Sequence, residues 1–99
     1  IAAGYFCYPL YGFQGEDRSA QILDFRDEMA DKIEETAGAD SFSFIGGASG
    51  ICYGYLDFIA WDLKAVLDAA VSVFGESGID WAMFHSFRQD ADGITLFEK

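Results

Sequence analysis

The chain is poor in the residues from which catalytic and metal-binding sites are usually built. It has one histidine and two cysteines, Cys7 and Cys52, with no CxxC spacing. This argues against a disulfide framework and against a zinc-binding motif. We expect both thiols to behave as small buried hydrophobic side chains. A reducible bridge between them stays open as the alternative.

Basic residues are also scarce. The chain has six Lys and Arg residues and 17 Asp and Glu residues, which gives a formal net charge of −11. Nucleic-acid binding depends on Lys and Arg that neutralise phosphates, and anionic membrane surfaces attract basic segments. The charge therefore argues against nucleic-acid and membrane partners. Cationic partners, or solubility alone, explain an acidic surface better.

Long apolar runs are missing as well. No stretch approaches the roughly 18 residues of a membrane-spanning helix, and the start, IAAGYFCYPL, lacks the basic region of a signal peptide. We therefore expect a cytoplasmic protein. The 99 residues suit a single domain over residues 1–99. Because the chain begins without Met, a processed product and a module of a longer protein both stay open.

Two segments carry apolar residues at helical spacing. The first, over residues 19–37, is predicted to begin at a Ser19 cap and to end at Gly38. Its apolar side consists of Ile22, Phe25, Met29 and Ile33. The second is predicted to follow an Asp62 cap and to end at the GESG sequence of residues 75–78. Its apolar side consists of Leu63, Val66, Leu67, Ala70, Val71 and Phe74.

Aromatic-rich segments bounded by Gly, Pro, Ser and Asp predict the strands. The glycine-rich GGASG sequence, residues 46–50, is predicted to be the hairpin turn between two of them. An Asp-Gly pair ends residues 89–93 and predicts a second turn, after which the chain returns as a short last strand. The predicted strands cover residues 3–8, 41–44, 51–61, 80–87 and 94–97.

The resulting order is strand, helix, strand, strand, helix, strand, with the extra C-terminal strand. Helices with one apolar side must lie on one face of a sheet. Across the whole chain this order resembles the ferredoxin-like βαββαβ arrangement. The resemblance implies an α+β two-layer sandwich, with two helices on one face of an antiparallel sheet. It includes no signature residues, so it implies no function. The first strand would be central, so Pro9 counts against this arrangement unless the strand ends or bulges there.

The predicted third strand carries the candidate site. Its odd-numbered residues face away from the side that the helices are expected to cover. An aromatic patch on such a face marks an interface or a ligand groove. Asp57 within it is expected to have a raised pKa, or a partner such as His85, Arg88 or a tyrosine. The alternative is a structural acid that discourages edge pairing. The candidate residues are Tyr53, Tyr55, Asp57, Ile59, Trp61, His85 and Arg88.

Three other patterns are explained without a ligand. The GGASG sequence precedes a strand, with no lysine within ten residues, and so does not fit a phosphate loop. A nucleophilic pair of His85 with either cysteine lacks an identifiable oxyanion hole. Helical periodicity alone explains an acidic cluster as a solvated helix face. We therefore predict no catalytic residue, no metal and no cofactor, and we lean against an enzyme. The acidic cluster comprises Asp24, Asp27, Glu28 and Asp31.

Two functions fit the aromatic face. The favoured one is a protein-interaction or homo-oligomerisation module, whose face is covered by a second copy or by another domain. The alternative is a small-molecule binding domain or small enzyme that uses Asp57 and His85 and takes a neutral or cationic ligand. A cavity with convergent polar groups would favour the alternative, and a flat face would exclude it. A third function is an inhibitor whose acidic helix meets a basic partner.

Overall fold

A computed structural model of the chain describes residues 1–88 and 93–98. Within them, two helices and five strands form two layers. The strands make one antiparallel sheet in the order β2-β3-β1-β4-β5. The predicted α+β two-layer architecture is confirmed, and the fifth strand makes the sheet differ from a strict βαββαβ unit. The elements are β1 (Ala2–Pro9), α1 (Arg18–Ala37), β2 (Phe42–Ser49), β3 (Tyr53–Ala60), α2 (Leu63–Glu76), β4 (Trp81–Ser86) and β5 (Ile94–Glu98).

The first strand, β1, is the middle strand and pairs with a neighbour on each side. Tyr5 lies opposite Asp57 of β3 on one side and opposite His85 of β4 on the other. Pro9 is the last residue of β1. Because proline has no backbone N–H, it is tolerated in a central strand only where the ladder ends. The predicted position of Pro9 is therefore confirmed.

Both helices pack on the same face of the sheet. The first, α1, contacts β2 and β3, whereas α2 contacts β4 and β5, and the two helices contact each other. The core between the layers is largely aromatic. Phe6 stacks on Phe58 with ring centroids 4.5 Å apart and meets the ring of Phe74 edge-on at 5.5 Å. Such ring pairs add about 1 kcal/mol each beyond the area that they bury.

The two helices begin differently. In α2, the Asp62 carboxylate accepts a hydrogen bond from the backbone N–H of Ala65 at 3.2 Å, as predicted. In α1, Asp17 occupies the cap position without a side-chain hydrogen bond, and Ser19 lies inside the helix. The predicted Ser19 cap is therefore wrong. The helix begins one residue earlier, at Arg18.

The buried side of α2 is rotated from the predicted one. Val71 is 41% exposed, whereas Ala69 and Val73 are buried. Val73 borders the groove between the helices together with Lys32 and Thr36 of α1. The helix therefore buries residues against α1 as well as against the sheet, and sequence periodicity alone does not reveal that second contact.

Most of the glycine-rich segment belongs to a strand, and of its three glycines Gly50 lies in the turn. Gly46 and Gly47 lie within β2, where the register shifts between Phe44 and Gly46. Gly46 has a φ of +135°, and a Cβ on Gly47 would lie 2.2 Å from the carbonyl oxygen of Tyr55. A bulge and a close backbone approach therefore require these glycines. The turn itself falls at residues 50–52.

This later turn changes the surroundings of Cys52. The residue lies in the turn and is exposed, so the prediction that it is buried in a strand is wrong. Cys7 lies in β1 and is half-buried. Both cysteines are free.

The C-terminal part agrees with the expected extra strand. The predicted turn over residues 89–93 lies outside the described residues, except for Gly93. The strand after it is β5, which pairs with β4 at the edge of the sheet. In the described part of the chain, neither helix combines the length and apolar character needed to cross a membrane.

The different N-termini of α1 and α2 allow a matched test of the cap assignments. Asp62→Ala is expected to lower the free energy of unfolding by about 1 kcal/mol, the usual cost of losing an N-cap hydrogen bond. Ser19→Ala is expected to change it by a few tenths at most, because its side chain makes no cap. Urea unfolding of both variants measures the difference. A loss in Ser19→Ala as large as that in Asp62→Ala contradicts the assignment of the caps.

Candidate functional site

The side of the sheet opposite the helices, termed the open face, carries the odd-numbered residues of three strands. From Gly4 to Tyr8 in β1, and throughout β3, the even-numbered residues are buried in the core. Because side chains alternate along a strand, the odd-numbered residues point to the other side. The open face is formed by Tyr5, Cys7, Tyr53, Tyr55, Asp57, Ile59, Trp81, Met83 and His85.

A cavity of about 490 Å³ lies on the open face. This volume falls in the range of roughly 300–1,000 Å³ that is typical of small-ligand sites. Residues from β1, β3, β4 and β5 contribute to it. Its lining consists of Tyr5, Cys7, Tyr53, Tyr55, Trp81, Met83, His85, Thr95 and Glu98.

Aromatic contacts hold the walls of the cavity. The ring of Tyr5 stacks on the imidazole of His85, with centroids 5.4 Å apart and planes at 9°. It meets the ring of Tyr55 at 5.6 Å and 77°. Tyr53 meets Trp81 at 5.5 Å and 64°, although β1 separates their strands. These contacts fix the rings relative to one another, because each ring is packed against a neighbour.

Polar groups converge on the same space. Tyrosine hydroxyls, the Cys7 thiol, the His85 imidazole and the Glu98 carboxylate all belong to lining residues. Burial, with smaller effects of neighbouring Cys7 and Tyr5, raises the pKa of Tyr55, so this hydroxyl is neutral at physiological pH. The cavity can therefore donate and accept hydrogen bonds between apolar walls.

Asp57 lies beside Tyr5 at the margin of the cavity and does not line it. Burial raises the pKa of its carboxyl, and the charge of Arg26 opposes this shift. This is the direction expected for a desolvated carboxyl. The partners expected from the sequence were His85, Arg88 or a tyrosine, and the structure adds the charge of Arg26 of α1.

The cavity contains only part of the predicted site. Tyr53, Tyr55 and His85 line it. Ile59 is half-buried on the open face beyond the cavity. Trp61 follows β3 and is 51% exposed outside the cavity. Arg88 lies after β4 and borders a different cavity.

Sequence reasoning missed the other lining residues because it followed a single strand. Tyr5 and Cys7 alternate with buried residues in β1, and Trp81 and Met83 alternate with buried residues in β4. This alternation is visible in AGYFCY and DWAMFHSF. The sequence pattern does not reveal the register that places these residues of β1 and β4 on the same face of the sheet as those of β3. Thr95 and Glu98 depend in addition on the pairing of β5 with β4.

Other cavities offer less chemistry. One of about 510 Å³ lies between Ile1 and Phe87 and has mostly apolar walls. One of about 280 Å³ lies near the end of α2, where the Tyr11 hydroxyl donates a hydrogen bond to Asp80. In the described ranges, no three His, Cys, Asp or Glu residues approach closely enough to hold a metal ion.

The acidic cluster lies on the helical layer. Its four carboxylates are exposed on α1. Glu28 pairs with Lys32 at 2.9 Å, and Asp27 approaches Arg26 at 3.5 Å. This arrangement is that of a solvated helix surface. The acidic surface of α1 and the aromatic open face are therefore on opposite sides of the molecule.

The fold and the site define a small acidic α+β protein with an aromatic cavity on an uncovered sheet face. The chain matches no protein-family model, no curated protein sequence and no solved structure. Its function must therefore be argued from the cavity and the surface of the chain itself.

The raised pKa of Asp57 predicts a pH-dependent effect on stability. A carboxyl with a higher pKa in the folded state binds its proton more tightly there, so ionisation at neutral pH destabilises the fold. This penalty disappears as the pH falls below the pKa of the unfolded chain. Asp57→Asn is therefore expected to raise the free energy of unfolding at neutral pH and to have less effect in acid.

The matched control is Asp24→Asn, which removes one exposed carboxylate from α1. This control measures how much the free energy of unfolding rises simply because the net charge of −11 becomes less negative. Urea unfolding across the pH range measures both variants. Equal gains at neutral pH contradict a burial penalty at Asp57.

Proposed function

We propose that the chain is a small-molecule binding domain and that its site is the cavity of the open face. One observation carries this proposal: a space of about 490 Å³ where apolar walls and several polar groups meet. Small ligands bind in concave, mostly apolar sites in which a few polar groups fix their orientation. A flat aromatic face would instead have favoured a protein interface.

We also infer that the architecture is a ferredoxin-like βαββαβ unit extended by one strand. The order β2-β3-β1-β4 and the two helices packed on one face support this inference. The added strand, β5, lies at the edge next to β4 and contributes Thr95 and Glu98 to the cavity lining. The extension therefore enlarges the proposed site.

The proposed activity is binding without covalent catalysis. Cys7 and His85 both line the cavity, so the thiol is the nucleophile to consider. Burial raises the pKa of Cys7. Because the thiolate is the reactive form, a raised pKa makes this thiol a weaker nucleophile at neutral pH, although it can still be alkylated slowly. Asp57, the other candidate acid or base, lies outside the cavity lining.

A second candidate function is the interaction or homo-oligomerisation module, acting through the same face. Exposed rings in the cavity lining and beside it favour this function. Tyr53, which lines the cavity, is 46% exposed. Phe87, outside the lining, is 51% exposed, and its ring lies 5.7 Å from that of Tyr5. Two open faces could meet while their acidic α1 surfaces point away from each other. The occupant in this case is a second copy or another domain.

The binding proposal predicts selective protection of one thiol. A compound bound in the cavity is expected to slow alkylation of Cys7 in proportion to its occupancy and to leave the exposed Cys52 unchanged. The probe is a panel of small neutral and cationic aromatic or branched compounds. Iodoacetamide labelling followed by peptide mass spectrometry gives both rates in one sample, so Cys52 is the internal control.

Trp81→Ala opens one wall of the cavity and is expected to weaken the protection of Cys7. Trp61→Ala, which changes an exposed ring outside the cavity, is expected to leave it intact. If no compound protects Cys7, or if both thiols are slowed equally, the binding proposal fails.

Light scattering tests the second candidate. Self-association through the open face predicts a mass above the 10.9 kDa of one chain at high micromolar concentration. Tyr53→Ser is expected to return the mass to that of one chain, because it removes an exposed ring from the interface. Leu23→Ser, on the exposed surface of α1, is the control and is expected to change nothing. A single-chain mass for the unmodified protein excludes self-association.

A further inference from the structure

We propose that the cavity of the open face selects an organic cation, in particular a quaternary or methylated ammonium group. This inference rests on the proposed binding function and names the class of ligand. The rings of Tyr5, Tyr53, Tyr55 and Trp81 supply the binding surfaces, and the Glu98 carboxylate supplies the opposite charge.

The ring geometry suits a compact cation. The face of an aromatic ring carries partial negative charge, and Trp and Tyr attract cations more strongly than most side chains do. Tyr53 and Trp81 meet at 64°, and Tyr5 and Tyr55 meet at 77°. Because the rings are inclined to each other at these angles, their faces point in different directions. A tetrahedral cation with methyl groups on several sides can contact more than one of them.

The charges of the lining favour the same class of ligand. Glu98 is the carboxylate of the cavity, and among the described residues no Lys or Arg lines it. Asp57 adds a second carboxylate beyond Tyr5. The chain as a whole has a formal net charge of −11, which attracts cations and repels phosphates and carboxylates. Among the described residues of this lining, an anionic ligand would meet no Lys or Arg side chain.

The chemistry of the lining favours an organic cation over a metal ion. Calcium and magnesium require several oxygen ligands, and zinc prefers sulfur and nitrogen ligands at tetrahedral spacing. The described residues contain no such cluster. A quaternary ammonium group needs no directional ligands and is weakly hydrated, so aromatic walls replace its water at low cost.

The size of the cavity leaves room beside the cationic group. A volume of about 490 Å³ exceeds that of a trimethylammonium group alone. The Thr95 and tyrosine hydroxyls lie along the remaining lining and can hydrogen-bond to a polar tail. The preferred ligand is therefore an ammonium group attached to a short polar chain or to a ring.

The test compares choline with its neutral carbon analogue, dimethylbutanol, in which a quaternary carbon replaces the nitrogen. The two compounds share their shape and differ in charge. In Trp61→Phe, Trp81 is the remaining tryptophan and reports binding by its fluorescence. Choline is expected to bind about twofold to thirtyfold more tightly, the range that cation–π contacts supply. Isothermal calorimetry on the unmodified chain provides a second measurement.

Two variants separate the rings from the carboxylate. Trp81→Leu, measured by calorimetry, is expected to remove most of the preference for choline and to keep weak binding of the neutral analogue. Glu98→Gln changes an exposed residue, so the fold is expected to persist, and choline affinity is expected to fall while that of the analogue stays the same. Added salt is expected to weaken choline binding alone.

The outcomes distinguish this inference from the function on which it rests. Equal affinity for the two compounds overturns the cation inference and leaves the binding domain standing. If neither binds while only neutral compounds of the panel protect Cys7, the cation inference is again overturned and the binding function is supported. If neither binds and no compound protects Cys7, both proposals fail. Tighter binding of choline that disappears in Trp81→Leu supports both.

Discussion

The pairing of β1 with a neighbour on each side is the constraint on which the rest of the structure depends. Because side chains alternate along a strand, the register places Phe6 and Tyr8 in the core and Tyr5 and Cys7 on the open face. A slip of one residue would exchange these two sets. It would expose the ring of Phe6, which packs on those of β3, β4 and α2. The same register of β1 therefore produces both the hydrophobic core and the cavity.

The same register places the acidic surface of α1 and the aromatic open face on opposite sides of the molecule. The carboxylates of α1 are solvated on the helical side, where Glu28 pairs with Lys32. The opposite side collects rings from strands that are distant in sequence, such as Tyr53 and Trp81. Exposed rings are tolerated there because they pack on one another, and their arrangement leaves an open groove among them. The Glu98 carboxylate in the lining favours the class of ligand that aromatic faces also favour.

Local patterns predicted the elements well and the site only in part. Helical periodicity identifies α1 and α2 because most of their buried residues face the sheet, and alternation identifies the even-numbered core residues of β3. Contacts between distant segments explain the errors. Gly47 belongs to a strand because the carbonyl oxygen of Tyr55 lies where its Cβ would be. Val73 is buried because α2 also packs on α1. The cavity combines four strands, so a pattern read along β3 finds only Tyr53 and Tyr55 in that strand.

The most direct test of this account is an aromatic nuclear Overhauser spectrum of the free chain in solution. The account predicts cross-peaks between the rings of Tyr5 and His85 and between those of Tyr53 and Trp81, which lie about 5.4 and 5.5 Å apart. It also predicts a contact between Phe6 and Phe74 across the core. Cross-peaks from Tyr5 or Tyr53 to Phe74, in place of those to His85 and Trp81, would contradict it. They would place the tyrosines beneath the helices and remove the cavity.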